Sequence, residues 1–471
     1  MPAVHPARIA VILAAGKGTR MRSALPKVLH EAAGRPLLAW VVDAARAAGC
    51  ARILIVVGHG AERVREAIQG DDLGWVLQAE QRGTGHALSQ AAPHIDGAAM
   101  VLVLSGDVPL VKPATLEALA TAGEAGWGAM AVADLAAPGS LGRVLTAPDG
   151  GLERIVEARD ANPEELSVRR INAGLYALPA PDIFARLARL TPNNAQGELY
   201  LTDAVTAAAA EGRAVRLVAL ADPAEALGIN NRAELAAVHR LLIDRHLLML
   251  MDAGVTILEP ARTMIEPGVR VGIDTVIHPG VSLSGRTEIG AGCTLHQGAW
   301  LRDTRVADGV SIEPYSVLDG AEVADGCRVG PFARLRPASR LLQGARVGNF
   351  VEVKHSELGA GSKVNHLAYV GDATVGAGAN LGAGVITCNY DGVRKHPTEI
   401  GARAFIGSDT MLVAPVRVGA DASTAAGSVI TKNVPDGALA VGRARQKNLA
   451  GRAGGLRGAR NEKKDEEQEK G

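Results

Sequence analysis

VGIDTVIHPGVSLSGRTEIGAGCTLHQGAWL, residues 271–301, places an aliphatic side chain at every sixth position: Val271, Ile277, Leu283, Ile289, Leu295 and Leu301. Neither the period of a strand nor that of a helix generates this spacing. A parallel β-helix does, because each flat side of a narrow prism points one aliphatic residue inward and turns its corner on small residues. Outward from this stretch the pattern persists. A five-residue step leads to Val306, Ile312 and Leu318, and another to Val323, Val329, Leu335, Leu341, Val347 and Val353. Leu358, Val364 and Val370 follow, then Val375 and Leu381, and after an interruption Ile400, Ile406, Leu412 and Val418. Gly often follows the aliphatic residue, as at Gly290, Gly330, Gly348, Gly359, Gly376, Gly382 and Gly401. Three hexads make one coil, so the segment predicts about nine coils. The interruption, CNYDGVRKHPTE (388–399), must loop out of the prism, and a long ordered loop on a solenoid usually carries function.

Before residue 255 the chain has a different character. RIAVIL (8–13), RILIVVG (52–58), WVLQ (75–78), MVLVLSGD (100–107) and GAMAVADL (128–135) read as buried strands. Helical stretches such as PLLAWVVDAARAAG (36–49), stopped by Gly49, lie between them. This βαβ alternation predicts an open, doubly wound α/β sheet with ligands at the carboxyl ends of its strands. Residues 231–253 read as one long helix with Leu235, Val238, Leu241, Leu242, Leu248 and Met249 as its apolar stripe, closed by Gly254. The expected organisation is an α/β domain over 1–231, a linker helix over 232–254, an all-β solenoid over 255–451 and a disordered, charged tail over 452–471.

Composition excludes several function classes. Fifty basic residues balance 50 acidic ones, which argues against a polybasic nucleic-acid binder. The 47% hydrophobic content supports large cores, while 3% aromatic residues and 56 Gly call for cores of small aliphatics and many tight turns. Cys50, Cys293, Cys327 and Cys388 are too scattered for a disulfide framework or a zinc site and fit a reducing cytoplasm. No apolar run is long enough to span a membrane. Ile9 to Ala15 reads as a buried first strand rather than a signal segment, since Lys17, Arg20 and Arg22 follow at once.

The chemistry starts just after that first strand, at LAAGKGTRM (13–21) and LPKVL (25–29). Gly16 and Gly18 allow close backbone approach to an anion, and Arg20 and Lys27 add charge that can stabilise a phosphate in transfer. A phosphate loop of the GxxxxGK[ST] type is absent, and Met21 stands where a dinucleotide fingerprint needs its third Gly. Asp107 ends an apolar strand at the ligand-binding edge, where it either caps a helix or holds Mg²⁺, a hard cation that takes few protein oxygens plus phosphates. In the solenoid, His366 follows the core residue Val364 by two positions and so lies on the outer surface, with an imidazole suited to taking a proton at neutral pH. Arg336 and Lys354 fall at offsets that can stack as a cationic strip.

These motifs resemble the sugar-phosphate nucleotidylyltransferases. With the hexapeptide repeat behind them, residues 8–450 resemble the bacterial GlmU family, the bifunctional N-acetylglucosamine-1-phosphate uridylyltransferase / glucosamine-1-phosphate acetyltransferases. The resemblance extends over QAEQRGTGHA (78–87), SGDVPL (105–110), INAGLY (171–176), NNAQGELYLTD (193–203), GINNR (228–232), GPFARLRP (330–337), VGNFVEVK (347–354), NHLAYVGD (365–372) and TCNYDG (387–392). It implies a Rossmann-like nucleotidylyltransferase domain followed by a left-handed parallel β-helix. It also implies UTP and UDP-N-acetylglucosamine binding by Leu13, Ala14, Ala15, Gly16, Lys27, Gln78, Gly83, Thr84, Ser105, Gly106, Asp107, Gly142, Glu157, Asn172 and Asn230. Within that set Gln78 and Gly83–Thr84 would read uracil, Gly142, Glu157 and Asn172 the sugar, and Asp107 with Asn230 would hold Mg²⁺. Arg20, Lys27 and His366 become the catalytic residues, His366 as general base. Arg336, Lys354, Tyr369 and Asn380 become the sugar-phosphate binders of acetyl transfer. Ala383, Asn389, Tyr390, Ser408, Ala426 and Arg443 become the acetyl-CoA binders. The family likeness further implies a cytoplasmic homotrimer, with no nucleic-acid partner and no stable membrane insertion. The rival is a single-activity nucleotidylyltransferase whose β-helix only trimerises. Leu141 stands where relatives often have Tyr and Ser105 where some do, and His355 beside Lys354 has no assigned role.

Overall fold

The computed structural model describes residues 7–452, apart from 98, 193 and 195. The tail assigned to 452–471 therefore lies, Arg452 aside, outside the described residues. The chain divides into two compact units, with the boundary between Leu248 and Met249.

In the first unit the five strand segments read from the sequence all form: β1 (Ala7–Ala14), β2 (Arg52–Val57), β3 (Leu73–Leu77), β4 (Ala99–Ser105) and β5 (Gly128–Asp134). Four more join them: β6 (Arg143–Thr146), β7 (Leu152–Val156), β8 (Arg170–Pro179) and β9 (Val215–Ala219). The sheet order is β9-β5-β8-β4-β1-β2-β3, with the hairpin β6–β7 hung on β8. All its neighbours along that path run parallel except β8, which is antiparallel to both β4 and β5. Side chains alternate between two cores. Ala10 and Ile12 pack with Leu38, Val41, Leu116 and Leu119 on one face, and Val11 packs with Leu88, Ile183 and Leu201 on the other. A strand buried on both faces must be apolar throughout, which is why β1 could pass for a signal segment.

The chain steps from β1 outward to β2 and β3, then returns to lay β4 on the other side of β1, with Leu13 opposite Ser105. The loops leaving these two strands diverge, and a crevice opens outside their carboxyl ends, the usual ligand position in such sheets. The long helix Arg232–Asp252 ends the unit and runs on across its boundary. At its start Asn231 Oδ1 accepts from Glu234 N at 2.9 Å while Glu234 Oε2 accepts from Asn230 N at 2.6 Å, and Gly254 at φ 92° ends it. Val238 and Leu242 of its stripe are buried, whereas Leu248 and Met249 are exposed.

The second unit is a left-handed parallel β-helix of three stacked sheets with eleven, ten and nine strands. The predicted aliphatic residues lie directly above one another. Ile277, Leu295, Ile312, Val329, Val347, Val364, Leu381 and Ile406 line the first face. Leu283, Leu301, Leu318, Leu335, Val353 and Val370 line the second, and Ile289, Val306, Val323, Leu341, Leu358, Val375, Ile400 and Val418 the third. Each of the five-residue steps falls at the same corner, between the second and third faces. So does the loop between Ile386–Cys388 and Thr398–Ile400. A corner can lose or gain residues there without changing which side chains point inward. All four cysteines are unpaired. Among the described residues no helix is long and apolar enough to cross a membrane.

Candidate active sites

The crevice of the first unit is a cleft of about 570 Å³. Leu13, Ala14, Ala15, Gly16, Lys27, Gln78, Gly83, Thr84, Ser105 and Asp107 line it, together with Lys17, Gly18, Thr19, Gln81 and Glu198. Gly18 has φ +60°, and a Cβ there would lie 2.7 Å from Lys27 Cβ, so a larger residue would push the lysine out of place. Gly106 donates its N–H to Leu13 O at 2.9 Å, tying the ends of β1 and β4 together behind the cleft.

Charge converges at one end. Lys27 Nζ donates to Asp107 Oδ2 and, at 3.2 Å, to Asn230 Oδ1, which also accepts from Arg20 Nη2 at 2.8 Å. Asn230 arrives there from a distant part of the chain because Ile229 N donates to Asp107 O at 3.0 Å. One carboxylate and one amide oxygen thus meet around a single cationic atom. This is a hard-oxygen pair of the kind that suits a divalent cation completed by phosphate oxygens. Among the described residues no group of three or more His, Cys, Asp or Glu could hold a metal by itself.

At the other end Gln78 is buried, and its Nε2 lies 3.0 Å from His86 Nδ1 and 3.3 Å from Gly83 O. Thr84 Oγ1 accepts from Leu201 N at 3.1 Å, pinning the turn that starts at Gly83.

Gly142, Glu157 and Asn172 form a group of their own. Asn172 N donates to Gly142 O at 2.9 Å, and a Cβ on Gly142 would meet the Glu157 carboxylate at 3.4 Å. The Asn172 side chain is fixed by Tyr176 Oη at 2.6 Å and by Gly174 N at 2.9 Å, and Ser105 Oγ lies 3.6 Å from where a Gly174 Cβ would stand. Glu157 lines a second cleft of about 450 Å³ with Asp160, Tyr200 and Asp203. Burial pushes its carboxyl above the ordinary range. The Thr202 hydroxyl donates to Glu157 Oε1 at 3.3 Å. Inspection of the sequence misses Gln81, Glu198, Tyr176 and Thr202, whose positions depend on contacts between separate strands and loops.

On the β-helix, His366 sits at the corner between the first and second faces and is exposed. It belongs to a column two positions after each core residue: Asn349, His366, Ala383, Ser408 and Ala426. Backbone hydrogen bonds stitch the column from coil to coil, including Leu367 N to Asn349 O at 3.0 Å and Asp409 N to Ala383 O at 2.7 Å. Arg443 lies at its far end, with its Cδ 4.0 Å from where a Gly427 Cβ would stand. The residues expected to hold acetyl-CoA thus include a run of small side chains leading from His366 to an arginine. Such a run leaves room for a long thin chain.

Around the corner, Arg336 and Lys354 occupy matching positions on successive coils of the second face. Arg336 Nη1 donates to Glu352 Oε1 at 3.0 Å, and Tyr369 stacks directly above Glu352. Lys395 of the loop lies beside Lys354, whose ammonium group, through hydrogen bonding and like charge, lowers the proton affinity of Lys395. Asn380 lies on the first face, one coil beyond Lys363. Asn389 is buried and donates to Asp372 Oδ2, whereas Tyr390 is exposed and donates to Gly392 O at 2.6 Å. The loop is braced at Asp391, whose Oδ1 accepts from Val393 N and Arg394 N at 2.7 Å each and whose Oδ2 faces His396 at 2.7 Å. His355 bonds Asp372 at 2.9 Å and so helps hold Asn389. Lys395 and Asn349 are the residues sequence inspection overlooks here. Asn349 lies one coil, 17 residues, before His366, a signal available only once the coil length is known.

Residues 10–252 match the family model of the MobA-like NTP transferase domain. The chain is 48% identical over 446 residues to the bifunctional protein GlmU of Pelobacter propionicus, covering 94% of this chain and 97% of that protein. It is 49% identical over 441 residues to the bifunctional protein GlmU of Alkalilimnicola ehrlichii, covering 94% and 95%. It is 48% identical over 446 residues to that of Trichlorobacter lovleyi, covering 94% and 97%.

Proposed function

The chain belongs to the bifunctional GlmU family, and on that premise we propose that it makes UDP-N-acetylglucosamine in two steps at two separate sites. The β-helix acetylates glucosamine 1-phosphate from acetyl-CoA. The α/β unit then transfers UMP from UTP to N-acetylglucosamine 1-phosphate and releases pyrophosphate. The observation that carries this reading is the pairing of two unlike sites in one chain: Lys27, Asp107 and Asn230 converging beyond the carboxyl ends of β1 and β4, and His366 heading a column of small residues.

In uridylyl transfer both reactants are anions, so the protein's task is positioning and charge neutralisation. Gln78 and the Gly83–Thr84 turn read the uracil edge. The Leu13–Gly16 loop and Ser105–Gly106 cradle the nucleotide, and Gly142, Glu157 and Asn172 hold the sugar. Arg20 and Lys27 stabilise negative charge on the phosphates as the sugar phosphate oxygen attacks the α-phosphorus in line. Asp107 and Asn230 would hold Mg²⁺, which supplies charge neutralisation at the phosphate oxygens when bound.

In acetyl transfer the amine of glucosamine 1-phosphate attacks the thioester carbonyl, a C–N bond forms, the C–S bond breaks, and CoA leaves as the thiolate. His366 takes the proton that the amine nitrogen loses, a role worth roughly 10²–10⁴-fold. Arg336 and Lys354, with Lys395 beside Lys354, bind the sugar phosphate, and Tyr369 and Asn380 bind the sugar. Ala383, Asn389, Tyr390, Ser408 and Ala426 line the acetyl-CoA track, and Arg443 meets a CoA phosphate. We place uridylyl transfer within residues 1–231, the linker helix at 232–254 and acetyl transfer within 255–451, in a cytoplasmic homotrimer.

One reaction tests the whole scheme: protein, Mg²⁺, UTP, acetyl-CoA and glucosamine 1-phosphate in one vessel, with mass spectrometry for UDP-N-acetylglucosamine. Product is expected. Product only from pre-acetylated sugar phosphate would reduce the β-helix to a scaffold. His366→Ala is expected to abolish acetyl transfer and spare uridylyl transfer, and Asp107→Ala to do the reverse.

A further inference from the structure

We infer that Asn349 is the positioning residue of acetyl transfer, holding the His366 ring in the tautomer that carries its hydrogen on Nδ1. The inference rests on His366 being the general base. His366 Nδ1 lies 2.8 Å from Asn349 Oδ1 on the preceding coil. An amide oxygen can only accept a hydrogen bond, so Nδ1 must donate, and the unshared pair of the neutral ring is confined to Nε2. Without that partner both neutral tautomers are open to the exposed ring, and in one of them Nε2 already carries a hydrogen and cannot take another while neutral.

The geometry also fixes where the ring points. Asn349 and His366 are registered opposite each other on adjacent strands of the first face. Their backbones are tied by Leu367 N donating to Asn349 O at 3.0 Å. The spacing between the two side chains is therefore set by the coil rise and not by a mobile loop. Asn349 itself is half-buried beneath the exposed ring.

A neutral partner has a second consequence. A carboxylate in the same place would favour the imidazolium and raise the pH needed to free the base, whereas an amide orients the ring without adding charge. The other charged and titratable groups on the two registered strands are Arg346 and Lys363, at their far ends, and those on the strands after the corner are Glu352, Lys354 and Tyr369, with His355 and Asp372 paired beyond them. Among the described residues only Asn349 is bonded to the ring.

The test is the pH dependence of acetyl transfer by the full chain with saturating acetyl-CoA, for the parent, Asn349→Ala, Asn349→Asp and His366→Ala. Asn349→Ala is expected to lower kcat by on the order of 10–100-fold, the loss that removing an orienting partner causes at metal-bound histidines, with KM for glucosamine 1-phosphate nearly unchanged. Asn349→Asp is expected to recover part of that loss and to move the acidic limb of the profile to higher pH. Circular dichroism and thermal unfolding of each variant separate this from misfolding. If His366→Ala is inactive while Asn349→Ala matches the parent, or if the acidic limb of Asn349→Asp stays in place, the inference is wrong and the base assignment stands. If His366→Ala retains transfer, the base assignment is wrong and the inference falls with it.

Discussion

Lys27 illustrates how a residue acquires a role from its neighbours. Alone it is a lysine after a proline; in the folded chain it is held by Asp107 and Asn230 and backed by Gly18. Glu157 is the clearest titrating member of the first site. Burial raises its carboxyl, the Thr202 hydroxyl opposes this, and Asp203 and Asp160 add to the rise. A carboxyl with a raised folded-state pKa binds its proton more tightly in the native chain than in the unfolded one. Its ionisation therefore costs stability above the raised pKa, and the cost vanishes below the unfolded-state value. Glu157→Gln is expected to raise the melting temperature near about pH 8 and to change it little near about pH 4. Equal shifts at the two pH values in scanning calorimetry would contradict the burial account.

At the scale of elements, the β-helix depends on close backbone stacking. A Cβ on Gly359 would lie 2.6 Å from Ala377 N on the next coil, whereas one on Gly361, at φ +64°, would meet nothing within 4 Å. Gly359→Ala is expected to destabilise the unit by roughly 1–3 kcal/mol through overpacking, more than Gly361→Ala, which bears only the left-handed backbone penalty of about 1–2 kcal/mol. Urea midpoints for the pair check the order. The period of six, the long helix and the extruded loop were legible because each leaves a local mark in composition. The strand β8 and the hairpin β6–β7 were not, since their pairing partners are set by contacts distant in sequence. A core this narrow has no room for large rings, in keeping with an aromatic content of 3%. Tyr315, Phe332 and Phe350 indeed lie outside it, exposed and stacked ring on ring with centroids 5.4 Å apart along one corner.

At the scale of the whole molecule, two sites in separate units predict that their defects complement each other. An equimolar mixture of Asp107→Ala and His366→Ala chains is expected to make UDP-N-acetylglucosamine from glucosamine 1-phosphate, because the acetylated intermediate diffuses from one site to the other. No product from the mixture, when each chain retains its remaining activity, would mean that the intermediate must stay within one assembly. Light scattering is expected to give three times the chain mass of 48.6 kDa.

The amino-acid sequence by itself determined the two architectures and most of the candidate residues. A one-residue-deep core repeats every coil, and a buried parallel strand is apolar from end to end, so both write themselves into local order. Only the tertiary structure decided which of those residues meet. Asn230 reaches Asp107 across 123 positions through one backbone hydrogen bond from Ile229, and Asn349 reaches His366 because one coil lies on the next. Distances between side chains depend on register and on strand order, and neither is carried by any short stretch of chain.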